Sequence, residues 1–500
     1  MGLIARQSFK AATFTYLGIL MGVINNILIY PYVFKLNEYG EIQFVLQTAS
    51  FFTPFLLVGF TSVIIKFYAE YNSTKSQRAL YGMMFLVVML STGFFVILGY
   101  VFQQDIYDYY HKNSNTVSKH SLQILFAIAS ILPFLALFRA LAAIHKRIAI
   151  PSFLEQLIKF ILPALGGVYY FEILGFEDLL LCLFFYYLVL LIFFYLYVRN
   201  RDRLNFTFSL TEFRLNLKLK RIWSFALFSV FTGIGGTMVN QIDVVMITGI
   251  LGTYQNGLYA WSLFIANAVA IPYGLISRIS TPIISEDWSN WNLKKINELY
   301  TSSSSTLLVL SMCLFFSFWV VVDDLFALMP KGNEFQSAKG IVFLLCIAKI
   351  IDVGAGLNSQ ILSMSKSYKY LLWFLLVTAA VNVGLNFLFI PLYGLEGSGY
   401  ATLISVIIFN LLKYFFLKYK YHMDPFVMKT LIIPSIAFFT YLVLSVLPRL
   451  ELHLINLFLF SGLFCLIFLI SCYRFNLAPE LNNFANKQLI RIGIKPFDKK

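Results

Sequence analysis

The chain has 500 residues, of which 59% are hydrophobic, 18% aromatic and only 12% charged. That makeup excludes an ordinary soluble domain and most soluble enzyme classes, because about fourteen apolar stretches, each near the ~20 residues of a membrane helix, fill the chain almost end to end. The net charge of +14 is spread through short loops, with no basic arm or nucleic-acid motif, so it predicts a membrane-orientation signal and no nucleic-acid partner.

The start, Met1-Gly2-Leu3-Ile4-Ala5-Arg6, lacks the hydroxyl residue of a myristoylation signal, and no small-residue cleavage site follows the first apolar run, which is expected to stay as a helix. Six spans are predicted at 11–34, 42–65, 79–102, 121–144, 150–171 and 179–198. Six more follow at 223–248, 257–283, 303–322, 336–363, 370–391 and 398–417, with a final pair at 427–447 and 452–472. The fold class is all-α and polytopic: an N-terminal six-helix lobe (1–199), an interlobe linker (200–222), a second six-helix lobe (223–420), an extra helix pair (421–473) and a basic tail (474–500). The external segment 103–120 has room for a helical turn or two. In the linker, Ser209 and Glu212 have capping-box spacing, while Phe213, Leu215, Leu217 and Leu219 alternate at period two, leaving helix and strand both open.

Lys and Arg fall lopsidedly on alternate sides. One side carries only Lys35, Lys112, Lys119, Lys331, Lys339 and Arg449, so the other, which holds the basic linker and tail, is expected to be cytoplasmic along with both termini. The halves also share punctuation. Tyr39-Gly40 follows the first span and Asn256-Gly257 the seventh, and nearly the same offset relates His145-Lys146-Arg147 to Ser365-Lys366-Ser367. Six helices per copy make this a parallel repeat, of the kind found in transporters that rock one lobe against another.

Charges inside spans cost at least ~2.5 to 3.5 kcal/mol and need partners, water or a function. Arg139, Lys159 and Lys349 are read as the cations within the spans, with Glu155, Asp243 and Asp352 as the acids. Arg139 and Glu155 are equidistant from residue 147 of one hairpin and should come level, either as a structural ion pair or as part of a substrate path. Lys349, Asp352, Gly356, Ser359 and Ser363 form one polar stripe, either facing water or pairing locally between Lys349 and Asp352. Gly18, Gly22 and Asn26 share a face of the first span, as Gly236, Asn240 and Asp243 do on the seventh, and the repeat aligns Asp243 with Asn26. Asp243 suits either ion coupling or a cap near its helix end. Pro54, Pro133, Pro163, Pro272, Pro282, Pro391 and Pro434 are expected to interrupt or end spans. The five cysteines, without a C-x-x-C pair, predict no disulfide and no zinc site. His111, His120, His145, His422 and His453 lie in loops or near span ends, which speaks against an intramembrane catalytic histidine.

The stretch from Asn382 through Pro391, Gly394, Gly397 and Gly399 to Ser405 resembles the C-terminal signature of the polysaccharide transport family. These O-antigen-type flippases belong to the superfamily that also holds the multidrug extruders and the lipid II flippase. Asp243-Val244-Val245-Met246-Ile247 through Gly257-Leu258-Tyr259, and Pro272 with Pro282-Ile283-Ile284-Ser285, are similar to further segments of that family. The resemblance implies two lobes around a central cavity and transport rather than enzymatic chemistry. It implies a polyprenyl-diphosphate-linked oligosaccharide moved to the outer leaflet of a bacterial cytoplasmic membrane. Membrane lipids, glycan polymerase and chain-length machinery would be the partners. Arg139, Lys159, Asn26, Asn240, Lys349 and Ser359 are the substrate-cavity candidates. Asp243, Glu155 and Asp352 are the candidates for coupling to an ion, proton or sodium, with no metal or other cofactor. The alternatives are a cation-coupled multidrug exporter and, from another class, a membrane glycan polymerase or acyltransferase. The first two spans lack an arginine cluster, which the resemblance makes an argument against lipid II as cargo.

Overall fold

The computed structural model describes residues 3–491 apart from positions 69, 72, 115, 116, 146, 148, 203–207 and 427. Among the described residues all regular structure is helical. Ten helices are long and apolar enough to cross a membrane, and thirteen spans result when each of three bent pairs is counted once. Thr430–Val446 is a shorter apolar helix, so each of the fourteen apolar stretches has become helical. In hydrocarbon the backbone must satisfy its own hydrogen bonds, which is why apolar runs of this length become helices. The chain is a multi-pass membrane protein. Several span starts are capped by local side chains: Ser73 accepts from the Ser76 amide (3.2 Å) and Ser118 from the Ser121 amide (3.0 Å).

The bends do not follow the prolines. Pro133, Pro163, Pro282 and Pro434 lie inside continuous helices, correcting the expectation that they interrupt or end spans, whereas Pro391 stands in the last turn of a helix that ends at Tyr393, as expected. A proline removes one donor but keeps a helical φ, and neighbouring groups absorb the loss. The chain bends instead where φ turns positive. Val58 (φ 48°) and Gly59 (φ 73°) separate Leu36–Leu57 from Phe60–Phe67 at 52°, and Gly356 (φ 70°) lies in the 48° break between Lys339–Gly354 and Asn358–Met364. Hydroxyls capture the carbonyls freed there: Ser91 donates to Leu56 O (2.5 Å) and Ser304 to Gly354 O (2.6 Å). Only the third bend, between Thr253–Val269 and Ile271–Ser289, has a proline at the joint, Pro272.

The helices form two compact units, Met1–Ala260 and Trp261–Lys500. In the first, Lys119–Ile144 packs on Leu36–Leu57 and Phe176–Asp202, and the seventh span, Leu219–Leu251, packs on Leu36–Leu57 and Gln103–Ser114. Its core gathers Phe60, Ile64, Leu80, Met84, Leu141 and Ile222. The predicted external turn is longer than expected: Gln103–Ser114 is a 12-residue helix. In the linker the helical alternative is realised as Leu210–Asn216, with Ser209 accepting from the Glu212 amide, because Phe213 and Leu217 bury themselves in the first unit's core. Arg221 holds the linker's end with a two-pronged bond to Glu70 (2.7 and 3.0 Å). In the second unit, Leu395–Tyr421 packs on Tyr368–Tyr393 and Lys339–Gly354, and the final span, His453–Arg474, docks on Leu293–Trp319. The tail residues Lys495, Lys499 and Lys500 lie outside the described residues, as does the repeat landmark Lys146.

Candidate functional site

The hairpin between the fourth and fifth spans behaves as its symmetry predicts. Arg139, on Lys119–Ile144, donates through Nη1 to Glu155 Oε1 on Ala149–Gln156. The pair is not sealed in packing, since its side chains are 56% and 40% exposed. Arg139 lines a cavity of about 570 Å³ whose other polar lining is hydroxyl: Ser50, Thr53, Thr61, Ser152 and Thr237. A second cavity of about 240 Å³ shares Ser50, Thr53 and Arg139 and adds Glu155, Tyr186 and Tyr187. Arg139 thus borders both cavities, and Glu155 the smaller one. Lys159, on Ile158–Tyr170, is separated from Glu155 by the break at Leu157 and has no ion-pair partner among the described residues. Its carbonyl accepts from Asn25 Nδ2 at 2.6 Å.

Asn26 and Asp243 are treated alike by the fold. Asn26 is buried and its Oδ1 accepts from the Tyr39 hydroxyl (2.8 Å), while Asp243, 2% exposed, accepts from the Tyr259 hydroxyl (2.7 Å). In each copy a tyrosine beyond the turn reaches back to the aligned polar side chain. The repeat glycines also meet. Asn256 Nδ2 donates to Gly40 O (2.8 Å), and a Cβ on either Gly40 or Gly257 would strike the other helix's backbone. Asn240 is exposed and turns back to its own helix, donating to Gly236 O at 2.7 Å.

The second unit holds a polar cluster around a cation that sequence reading did not single out. Lys413, on Leu395–Tyr421, is buried, and its Nζ donates to Ser359 Oγ (3.0 Å) and stands 3.9 Å from Asp352 Oδ1. Asn410 Nδ2 donates to the same Asp352 oxygen (3.0 Å), and Asn358 Nδ2 donates to Asn410 Oδ1 (3.0 Å). Asp352 therefore pairs across helices rather than with Lys349, which is half-buried and has no ion-pair partner among the described residues. The predicted stripe also runs across a break, with Asp352 on one side and Ser359 on the other. Lys413 lies inside the predicted twelfth span, 398–417, yet sequence reading did not count it among the cations within the spans. Its spacing from Asn410 was the available signal, since residues three apart share a helix face. Among the described residues no group of three or more His, Cys, Asp or Glu is placed to hold a metal ion.

No family model matches the chain, and no curated protein matches it. Solved structures do. The lipid II flippase MurJ, in an inward closed conformation, is similar with a TM-score of 0.71 at 16% identity, covering 93% of this chain and 98% of that one. A multidrug resistance MATE family transporter of the MOP superfamily is similar in its inward-facing conformation (TM-score 0.59, 13% identity, 84% of this chain and 98% of that one). A MOP superfamily transporter from Pyrococcus furiosus is similar at a TM-score of 0.56 and 12% identity, covering 84% of this chain and 95% of that one. The chain therefore has, over most of its length, the fold of these flippase and transporter structures.

Proposed function

We propose that this protein is a flippase that carries a polyprenyl-diphosphate-linked oligosaccharide from the inner to the outer leaflet of a bacterial cytoplasmic membrane by alternating access, with both termini cytoplasmic. The observation that carries the reading is the Arg139 guanidinium, more than half exposed in a cavity whose remaining polar lining is hydroxyl. A planar guanidinium suits the oxygens of a diphosphate, and hydroxyls offer donors and acceptors to sugars. The isoprenoid tail would stay in hydrocarbon, where burying it costs nothing. Lys159 and Lys349, without ion-pair partners among the described residues, are further candidates for the path. Asn26, Asn240 and Ser359 are candidate lining residues, while Asp243, Glu155 and Asp352 are the candidate coupling carboxylates. Likeness to the lipid II flippase MurJ supports a lipid-linked cargo.

One observation favours a second reading. The smaller cavity sets the Glu155 carboxylate beside Tyr186 and Tyr187, a lining suited to a cationic aromatic compound, as a multidrug exporter would need. Deleting the gene separates the two. The flippase reading expects lipid-linked glycan to accumulate on the inner leaflet and to clear when the wild-type gene is restored. Unchanged glycan together with lost cation-driven dye efflux would establish the exporter instead.

A further inference from the structure

Among the described residues Lys413 is the one Lys or Arg that is buried, its side chain 1% exposed. An ammonium has three donors to place. Here one reaches Ser359 Oγ at 3.0 Å, the Asp352 carboxylate stands beyond hydrogen-bond distance at 3.9 Å, and the Phe409 ring lies 3.8 Å away. A buried charge is ordinarily compensated by a close, well-hydrogen-bonded partner, and this one is compensated only in part. The Asp352 side chain, by contrast, is 41% exposed, so the buried amine has an accessible carboxylate beside it.

The two oxygen partners sit on opposite sides of a hinge. Asp352 belongs to Lys339–Gly354 and Ser359 to Asn358–Met364, with Gly356 at positive φ between them and Ser304 holding the freed Gly354 carbonyl. Titratable or charged side chains on the surrounding helices include Lys349 and Cys346 on Lys339–Gly354, Tyr273, whose hydroxyl bonds Gln360 (2.9 Å), and Arg278 on Ile271–Ser289, Tyr300 on Leu293–Trp319, and Tyr368, Lys369 and Tyr370 at the start of Tyr368–Tyr393, with Tyr414 and Lys418 on the helix of Lys413 itself.

We propose that Lys413 is a proton-carrying cation, built into the fold in place of a dissolved coupling ion, and that its protonation ties together the two halves of the broken tenth span. In the loaded state the ammonium bridges Ser359 and Asp352. On unloading, one N–H bond of Lys413 breaks, the proton passes to the Asp352 carboxylate and from there to water, and the neutral amine no longer attracts the acidic half across the hinge. Reprotonation reverses each step, so one proton is exchanged per cycle. This assignment rests on the transporter reading above, and its test is chosen to be independent of cargo.

The full-length protein in nanodiscs is titrated in unbuffered solution from about pH 5 to 9 beside Lys413→Met. The wild type should release one more proton per chain than Lys413→Met across that window, and replacing choline chloride with sodium chloride should leave the step in place. Asp352→Asn should shift the step, which supplies the test if Lys413→Met does not fold. Equal proton release by wild type and Lys413→Met, an unshifted step in Asp352→Asn, or displacement of the proton by sodium would each overturn the proposal. The expected titration in a protein that moves no lipid-linked glycan would support the proton site and remove the flippase reading alone.

Discussion

Replacing Arg139 by alanine should separate transport from stability, because the structure gives the Arg139–Glu155 pair little stabilising work. With side chains 56% and 40% exposed, the pair belongs with solvent-bordering ion pairs, which contribute about 0.2 to 1 kcal/mol. Against a diphosphate the same guanidinium would form charge-assisted hydrogen bonds of about 1.5 to 3 kcal/mol. At 1.4 kcal/mol per decade, losing that contact corresponds to roughly a 10- to 100-fold loss of transport. Arg139→Lys keeps the charge but not the fork and should fall between wild type and alanine. Two measurements on one preparation decide the matter: the fraction of monodisperse protein surviving a heating series, and the movement of lipid-linked glycan across reconstituted vesicles. A double-mutant cycle with Glu155→Ala should return a stability coupling below about 1 kcal/mol. A coupling of several kcal/mol, with glycan transport intact in the protein that remains folded, would make the pair structural and refute the argument.

Gly257→Ala should destabilise the first unit by more than about 1 to 3 kcal/mol, because the new methyl would meet the Leu36 carbonyl and the Gly40 amide, backbone atoms that cannot rotate away. The loss should appear as earlier aggregation in the same heating series; an unshifted profile would mean the crossing is loose. Asp324→Ala should cost about 3 kcal/mol or more, since the buried carboxylate accepts from Arg449 (3.3 Å) and Asn456 (2.9 Å) and pairs with His453 (2.8 Å). Limited proteolysis near the final helix pair should report that loss, and wild-type resistance would show the cluster to be dispensable.

The helices were legible because hydrocarbon leaves a twenty-residue apolar run one stable choice, and the hairpin pair was legible because symmetry about a turn fixes which residues come level. Gly40 and Gly257 stood out as matching punctuation, and the structure supplies the physical reason: their backbones touch. The bends were misassigned because proline is conspicuous in a sequence, whereas a left-handed Val58 or Gly356 has no local composition to announce it.

The polar cluster of the second unit shows where local reading gives out. Lys349 and Asp352 stand three apart on one helix, and that spacing alone was enough to suggest a pair. Asp352 instead meets Asn410 and Lys413 from another helix, and the break after Gly354 sets Ser359 against the same ammonium. Lys413, inside the predicted span 398–417, has no charged residue three or four positions away to single it out. Its burial follows from its place on Leu395–Tyr421, which continues as helix to Tyr421 and so carries Lys413 a full two turns inside. Lys349, without an ion-pair partner among the described residues, is the more accessible of the two lysines, and the cluster offers two cations with different surroundings. One is half-buried; the other is enclosed beside a hinge, where a change in its charge would alter the attraction between two helix halves.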